Sequence, residues 1–175
     1  YKGDKNDPQR HFVDMVAYAD RIVGQIDARL KKAGVRDNTL LIFTGDNGTD
    51  KPIVTPWNGT KIAGGKGTMT DRGTHVPLII RWPGKVAPGT TCDDLVDFTD
   101  LMPTLCELTG AALPGEVIHG RSFAPQLLGQ ASTPRDWVHI QDHEKRHVRN
   151  RDYIYTNQGQ LRPVVKIWQK PAQPI

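Results

Sequence analysis

Residues 38–48 read Asn38-Thr39-Leu40-Leu41-Ile42-Phe43-Thr44-Gly45-Asp46-Asn47-Gly48. The unbroken apolar centre, Leu40 to Phe43, lacks the alternation of a half-solvated strand and predicts one covered on both faces. Upstream, Phe12, Val16, Ala19, Ile22, Val23, Ile26 and Leu30 recur at steps of three and four, which predicts an amphipathic helix over residues 11–33. Asp14, Asp20, Arg21, Asp27 and Arg29 mostly fill its other face. Asp7-Pro8 marks a start, because Pro is tolerated in a first helical turn, and Gly34 a stop. A helix feeding a buried strand that ends in polar residues is an α/β arrangement, and such sheets bind ligands at that edge.

Downstream, residues 49–75 show no clear period and are rich in Gly, Thr and Lys, so they read as one long loop. Loops of that length inside a compact domain are usually functional or disordered. Val76 to Trp82 predicts a second buried strand, closed by Pro83-Gly84. Asp97 to Leu108 predicts a short helix in which Pro103 is acceptable only near the start, with Gly110 ending it. Beyond residue 112 turn residues multiply, and Trp137–Gln141 and Tyr153–Thr156 read as strands of an antiparallel unit. The expected fold class is α/β, with a main α/β part over residues 1–130 and a small C-terminal α+β antiparallel subdomain over 131–175. No internal repeat is visible.

The bulk properties exclude several classes. Of the 175 residues 37% are hydrophobic and 24% charged, which is globular rather than disordered. The longest apolar runs are strand-sized, so no membrane association is expected, and the first ten residues lack the apolar core of a signal peptide. The net charge of +4 comes from scattered Lys and Arg rather than one tract, which argues against nucleic acid as a partner. Two cysteines, Cys92 and Cys106, are too few for a disulfide scaffold or a four-Cys zinc site, although a single bridge stays open.

Three features could carry chemistry. Asp46-Asn47 between two glycines offers a carboxylate and a carboxamide, hard oxygen donors suited to Ca²⁺ or Mg²⁺. The same residues also make an ordinary turn. Twenty positions later, Gly64-Gly65-Lys66-Gly67 exposes backbone N–H groups beside one positive charge, as an oxyanion cradle would. It lacks the spacing of a P-loop, and a flexible linker is the alternative. His139, His143 and His147 stand at four-residue steps, which on a helix would form one metal-binding face. The alternation of Trp137-Val138-His139-Ile140-Gln141 is that of a strand, which would scatter them.

Taken together, the segment 38–48, then Gly64-Gly65-Lys66-Gly67, then Thr70-Asp71-Arg72-Gly73-Thr74-His75-Val76-Pro77-Leu78-Ile79, then Arg81-Trp82-Pro83-Gly84, resemble in order the sulfatase family of the alkaline-phosphatase superfamily. Asp97 to Gly110, with Asp100-Leu101-Met102-Pro103-Thr104-Leu105 at its centre, resembles the family's following helix. The likeness covers residues 11 to about 128 well and the rest loosely. It implies a partial alkaline-phosphatase-like sheet with flanking helices. It further implies that Asp46 and Asn47 are ligands of Ca²⁺ (or Mg²⁺), and that Lys66 contacts the sulfate and neutralises charge on the bridging oxygen. His75 falls where the family often has Arg or His, foremost a structural position and also a candidate for the pocket lining. His143 is a further candidate in a loop beside the pocket. The implied partner is a sulfated small molecule or glycan, and the implied location is exported (periplasmic or extracellular) or lysosomal.

The chain also departs from the family. Its members oxidise a Cys or Ser within Cys/Ser-x-Pro/Ala-x-Arg to formylglycine, but Cys92 precedes Asp93-Asp94-Leu95 and Cys106 precedes Glu107-Leu108-Thr109. The formylglycine nucleophile is therefore expected upstream of this chain, along with the first aspartates of the metal site, and the chain alone is expected to be inactive. Two alternatives stay open: a phosphoester or phosphonate ester hydrolase on the same scaffold, and a non-catalytic polyanion-binding module using Lys66 and Arg72. The terminal run Leu161 to Trp168 lacks the acidic strand of many relatives.

Overall fold

A computed structural model describes residues 6–164, which divide between two compact units; the first holds the described residues up to Ile80 and the second residues 81–164.

The first unit opens with helix α1, Pro8–Lys32. Its start is the expected one: the Asp7 side chain accepts from the Arg10 amide at 3.0 Å, and Pro8 occupies the first turn, where its missing N–H costs nothing. Gly34, at φ 73°, turns the chain out of the helix. The Arg36 guanidinium then donates to Asp27 at 2.9 Å, which ties the turn back to the helix and holds Arg36 above the usual arginine pKa. Strand β1, Leu41–Thr44, follows and pairs with β4, Leu78–Arg81, in a two-stranded sheet.

Two expectations need correction here. Neither strand is covered on both faces: Phe43, Leu78 and Ile79 are exposed, because the described chain brings too little apolar surface against this two-stranded sheet to cover it. Residues 49–75 are also more ordered than a loop. Strands β2, Val54–Trp57, and β3, Thr60–Ala63, form an antiparallel hairpin, and a one-turn helix α2 spans Asp71–Thr74. The hairpin follows from Asn58-Gly59. Both residues have positive φ, 48° and 78°, as a type I′ turn requires, and Asn-Gly meets that requirement best.

In the second unit, a 3-10 turn at Phe98–Asp100 leads into α3, Leu101–Thr109, with Pro103 near its start and Gly110 ending it in the left-handed conformation. A single-turn helix α4, Ala124–Leu127, contacts α3. The core here is partly polar. Thr104, 2% exposed, donates to the Asp100 carbonyl at 2.6 Å and accepts from the Phe123 amide at 3.0 Å, beside buried Phe123 and Ala124.

The chain then makes a four-stranded antiparallel meander: β5, Val138–Asp142; β6, Lys145–Arg149; β7, Tyr153–Thr156; and β8, Leu161–Pro163. The expected α/β part with a C-terminal antiparallel sheet is thus present. The meander's period of two sorts its side chains by face. Val138 and Thr156 are buried, whereas His139, Val148, Tyr155 and Leu161 lie in one cross-strand row and are exposed. Of the terminal run, Leu161–Pro163 is strand, and residues 165–168 lie outside the described residues.

Candidate functional site

β1 delivers Gly45-Asp46-Asn47-Gly48 directly from its C-terminal end. Asp46 and Asn47 are both exposed, and the Asn47 carboxamide donates to the Asp46 carboxylate at 2.7 Å. After Gly48 the backbone enters a tight stack with two later segments. The Gly48 amide donates to the Gly73 carbonyl at 2.9 Å, the Lys66 amide to the Thr49 carbonyl at 3.0 Å, and the Gly64 amide to the Ile53 carbonyl at 2.8 Å.

Glycine makes this stack possible. A β-carbon would stand 1.9 Å from the Arg72 carbonyl oxygen at Gly48, 2.0 Å from the Asp50 carbonyl oxygen at Gly64, and 2.0 Å from the Thr68 carbonyl oxygen at Gly73. At Gly65 it would stand 2.5 Å from the Arg72 β-carbon. Backbone approaches of this kind are open only to a residue without a side chain. Within the same stretch Ile53, Met69 and Asp71 are buried, and the Thr68 hydroxyl donates to the Gly65 carbonyl at 2.7 Å. The Lys66 backbone is therefore hydrogen-bonded to Thr49, two residues beyond Asn47, and Lys66 is exposed.

Other candidates fall differently. His75 caps α2, its amide bonded to the Asp71 carbonyl at 2.9 Å, and its side chain is exposed. His143 belongs to the second unit. It occupies the β5–β6 hairpin tip with φ 54°, a side chain 92% exposed, and a 2.8 Å contact to the Asp142 carboxylate. The strand reading of the three histidines holds. His147 sits opposite Ile140 on the covered side, His139 opposite Val148 on the open side, and His143 at the tip, so no common metal face exists.

Sequence reasoning missed how Arg72 is placed. It packs on both Gly48 and Gly65, the residues that follow Asn47 and precede Lys66, and is exposed. The signal was the pair Gly48 and Gly65, legible only once both are known to meet Arg72.

As a cation site, Asp46 and Asn47 supply oxygens of the right hardness on a turn that glycine lets a ligand approach closely. The chemistry fits Ca²⁺ or Mg²⁺ as part of a coordination shell. Among the described residues no group of three or more His, Cys, Asp and Glu side chains is placed to hold a metal. The nucleophile motif is also missing from the sequence. Cys92 and Cys106 are free thiols in unsuited contexts, Ser122 precedes Phe123-Ala124-Pro125-Gln126, and Ser132 precedes Thr133-Pro134-Arg135-Asp136. No helix among the described residues is long and apolar enough to cross a membrane.

Comparison with known proteins gives two family matches: the sulfatase model over residues 2–111, and the N-sulphoglucosamine sulphohydrolase C-terminal model over residues 65–163. Arylsulfatase A of Homo sapiens is 36% identical over 125 residues, 71% of this chain and 24% of that protein. A sulfatase from Pseudoalteromonas sp. superimposes with a TM-score of 0.68 at 32% identity, over 81% of this chain and 29% of its own. The phosphonate monoester hydrolase of Agrobacterium radiobacter superimposes with a TM-score of 0.64 at 27% identity, over 85% of this chain and 32% of its own. The chain thus spans about a quarter of the length of the curated relatives it matches.

Proposed function

This chain belongs to the sulfatase family, and on that premise we propose that it supplies part of the catalytic domain of a sulfuric ester hydrolase. Asp46 and Asn47 would serve as metal ligands and Lys66 as the contact to the sulfate. The observation that supports this reading is the 3.0 Å backbone bond from the Lys66 amide to the carbonyl of Thr49, which follows the Asp46-Asn47-Gly48 turn directly. The exposed faces of β1 and β4 support reading the chain as one portion of a larger sheet.

Cleaving a sulfate ester leaves negative charge on the bridging oxygen as the S–O bond breaks. A fixed positive charge at that oxygen lowers the barrier because it is in place before the charge develops. Lys66, whose backbone is tied to Thr49, would supply that charge. A bound Ca²⁺ or Mg²⁺ would draw electron density from the non-bridging sulfate oxygens. The family's formylglycine nucleophile would come from a part of the protein other than this chain. The substrate would be a sulfated small molecule or glycan. The whole protein would be exported or lysosomal, as family members mostly are.

The superposition on the phosphonate monoester hydrolase favours one second reading, a phosphoester or phosphonate ester hydrolase. A polyanion-binding module is less well supported, since it has no use for an Asp-Asn pair at a sheet edge. Assaying the complete protein on an aryl sulfate and the matching aryl phosphate decides between them. Sulfate ester turnover that falls about 100- to 1,000-fold in Lys66→Ala is expected. Turnover of the phosphate alone would move the reading to the second class, and turnover of neither would leave the binding module.

A further inference from the structure

The second unit holds a cavity of about 330 Å³ whose walls are residues 118–121 and 135–137. One buried carboxylate fixes both walls. Asp100, 2% exposed, accepts from the Arg121 backbone amide at 2.7 Å and from the Arg135 guanidinium through Nε at 3.1 Å and through Nη2. Gly120 presses on the same 3-10 turn, where a β-carbon would stand 1.9 Å from the Thr99 carbonyl oxygen. The cavity is preformed, so a ligand would not have to order its walls on binding.

Three side chains retain capacity for a ligand. The Arg135 fork is committed to Asp100, but Arg121 makes a single long contact, from Nη1 to the Pro134 carbonyl at 3.4 Å. Trp137 is 52% exposed beside buried Val138, so its indole offers a flat apolar face with an N–H at one edge. Asp136, also exposed, supplies acceptor oxygens. A guanidinium fork suits a planar pair of anionic oxygens, an indole face suits the C–H face of a sugar ring, and a carboxylate suits ring hydroxyls. The volume lies at the lower end of the roughly 300–1,000 Å³ spanned by small-ligand sites, enough for one ring.

We infer that this cavity binds a pyranose carrying an anionic substituent, a sulfate or carboxylate, and that it does so independently of Lys66. Arg121 holds the anion, Trp137 covers the ring, and Asp136 takes a hydroxyl.

The test is calorimetric titration of the complete protein carrying Lys66→Ala, so that the proposed catalytic lysine contributes nothing to the signal. Glucosamine 6-sulfate is the probe, with glucosamine, inorganic sulfate and adenosine monophosphate titrated separately. Binding on the order of millimolar is expected. It should weaken about tenfold or more in Arg121→Ala, in keeping with loss of a charge-assisted hydrogen bond, and less in Arg121→Lys. Trp137→Ala should weaken it as well, and glucosamine without its sulfate should bind correspondingly worse. Both residues are exposed, so these variants should keep the parent's thermal midpoint. Unchanged affinity in Arg121→Ala overturns the inference, as does inorganic sulfate or adenosine monophosphate binding as tightly as the sugar sulfate. Because the readout is binding, it stands or falls separately from hydrolysis.

Discussion

Gly48 and Arg72 meet backbone to backbone: a β-carbon on Gly48 would stand 1.9 Å from the Arg72 carbonyl oxygen, and the next residue, Gly73, accepts the Gly48 amide at 2.9 Å. The turn that presents Asp46 and Asn47 is thereby fixed against α2 by a contact that only glycine permits. Gly48→Ala should lower unfolding stability by about 1–3 kcal/mol, the usual cost of overpacking. Gly24→Ala is the control. Gly24 lies within α1 with open space around its α-carbon, so alanine there should add about 0.5–1 kcal/mol. Urea unfolding midpoints of both variants measure the difference.

Lys66→Ala removes a charge but not the backbone bond to Thr49. In the complete protein kcat on an aryl sulfate should fall about 100- to 1,000-fold, as when one preorganised charge-stabilising group is lost. The circular dichroism spectrum and thermal midpoint should not change. A matching loss of stability would instead make Lys66 a structural residue.

Asp46 and Asn47 offer too few oxygens for a cation that takes about six to eight. The 175-residue chain alone should therefore bind Ca²⁺ no tighter than the order of millimolar, and Asp46→Ala should abolish that binding. Isothermal titration with Ca²⁺ is the measurement. Submicromolar affinity retained in Asp46→Ala would place the cation elsewhere. The same chain, lacking a Cys/Ser-x-Pro/Ala-x-Arg motif, should turn over no aryl sulfate.

Arg135 is the partner that makes burial of Asp100 tolerable, and its side chain is itself only 13% exposed. Arg135→Ala should cost about 3–5 kcal/mol, because an unpaired buried carboxylate remains. The variant's denaturant midpoint tests this. The backbone amides of Asp97 and Arg121 still donate to Asp100, so a cost well under that range would mean they suffice.

The sequence carried some of these features plainly and others not at all. α1 was legible in its period and in Asp7-Pro8 and Gly34, because helix ends obey local chemistry. The scatter of His139, His143 and His147 was legible in a two-residue alternation. Asn58-Gly59 marked the β2–β3 hairpin, but Pro56 and a composition rich in Gly and Thr masked it. The cover on β1 and β4 was misjudged because apolar content reports what a strand can bury, not what this chain has available to bury it. The convergence of residues 48, 64, 65 and 73 was beyond local reading. Each is an ordinary glycine until the fold shows which backbone occupies the space beside it.

These glycines divide residues 46–75 into positions of shape and positions of choice. Gly48, Gly64, Gly65 and Gly73 admit no alternative residue without moving a neighbouring backbone. Lys51, Thr70 and Arg72 point their variation outward. A randomised library across the segment should return the parental residue at the former and diversity at the latter, so any retuning of what this surface accepts has to be written on its exposed side chains.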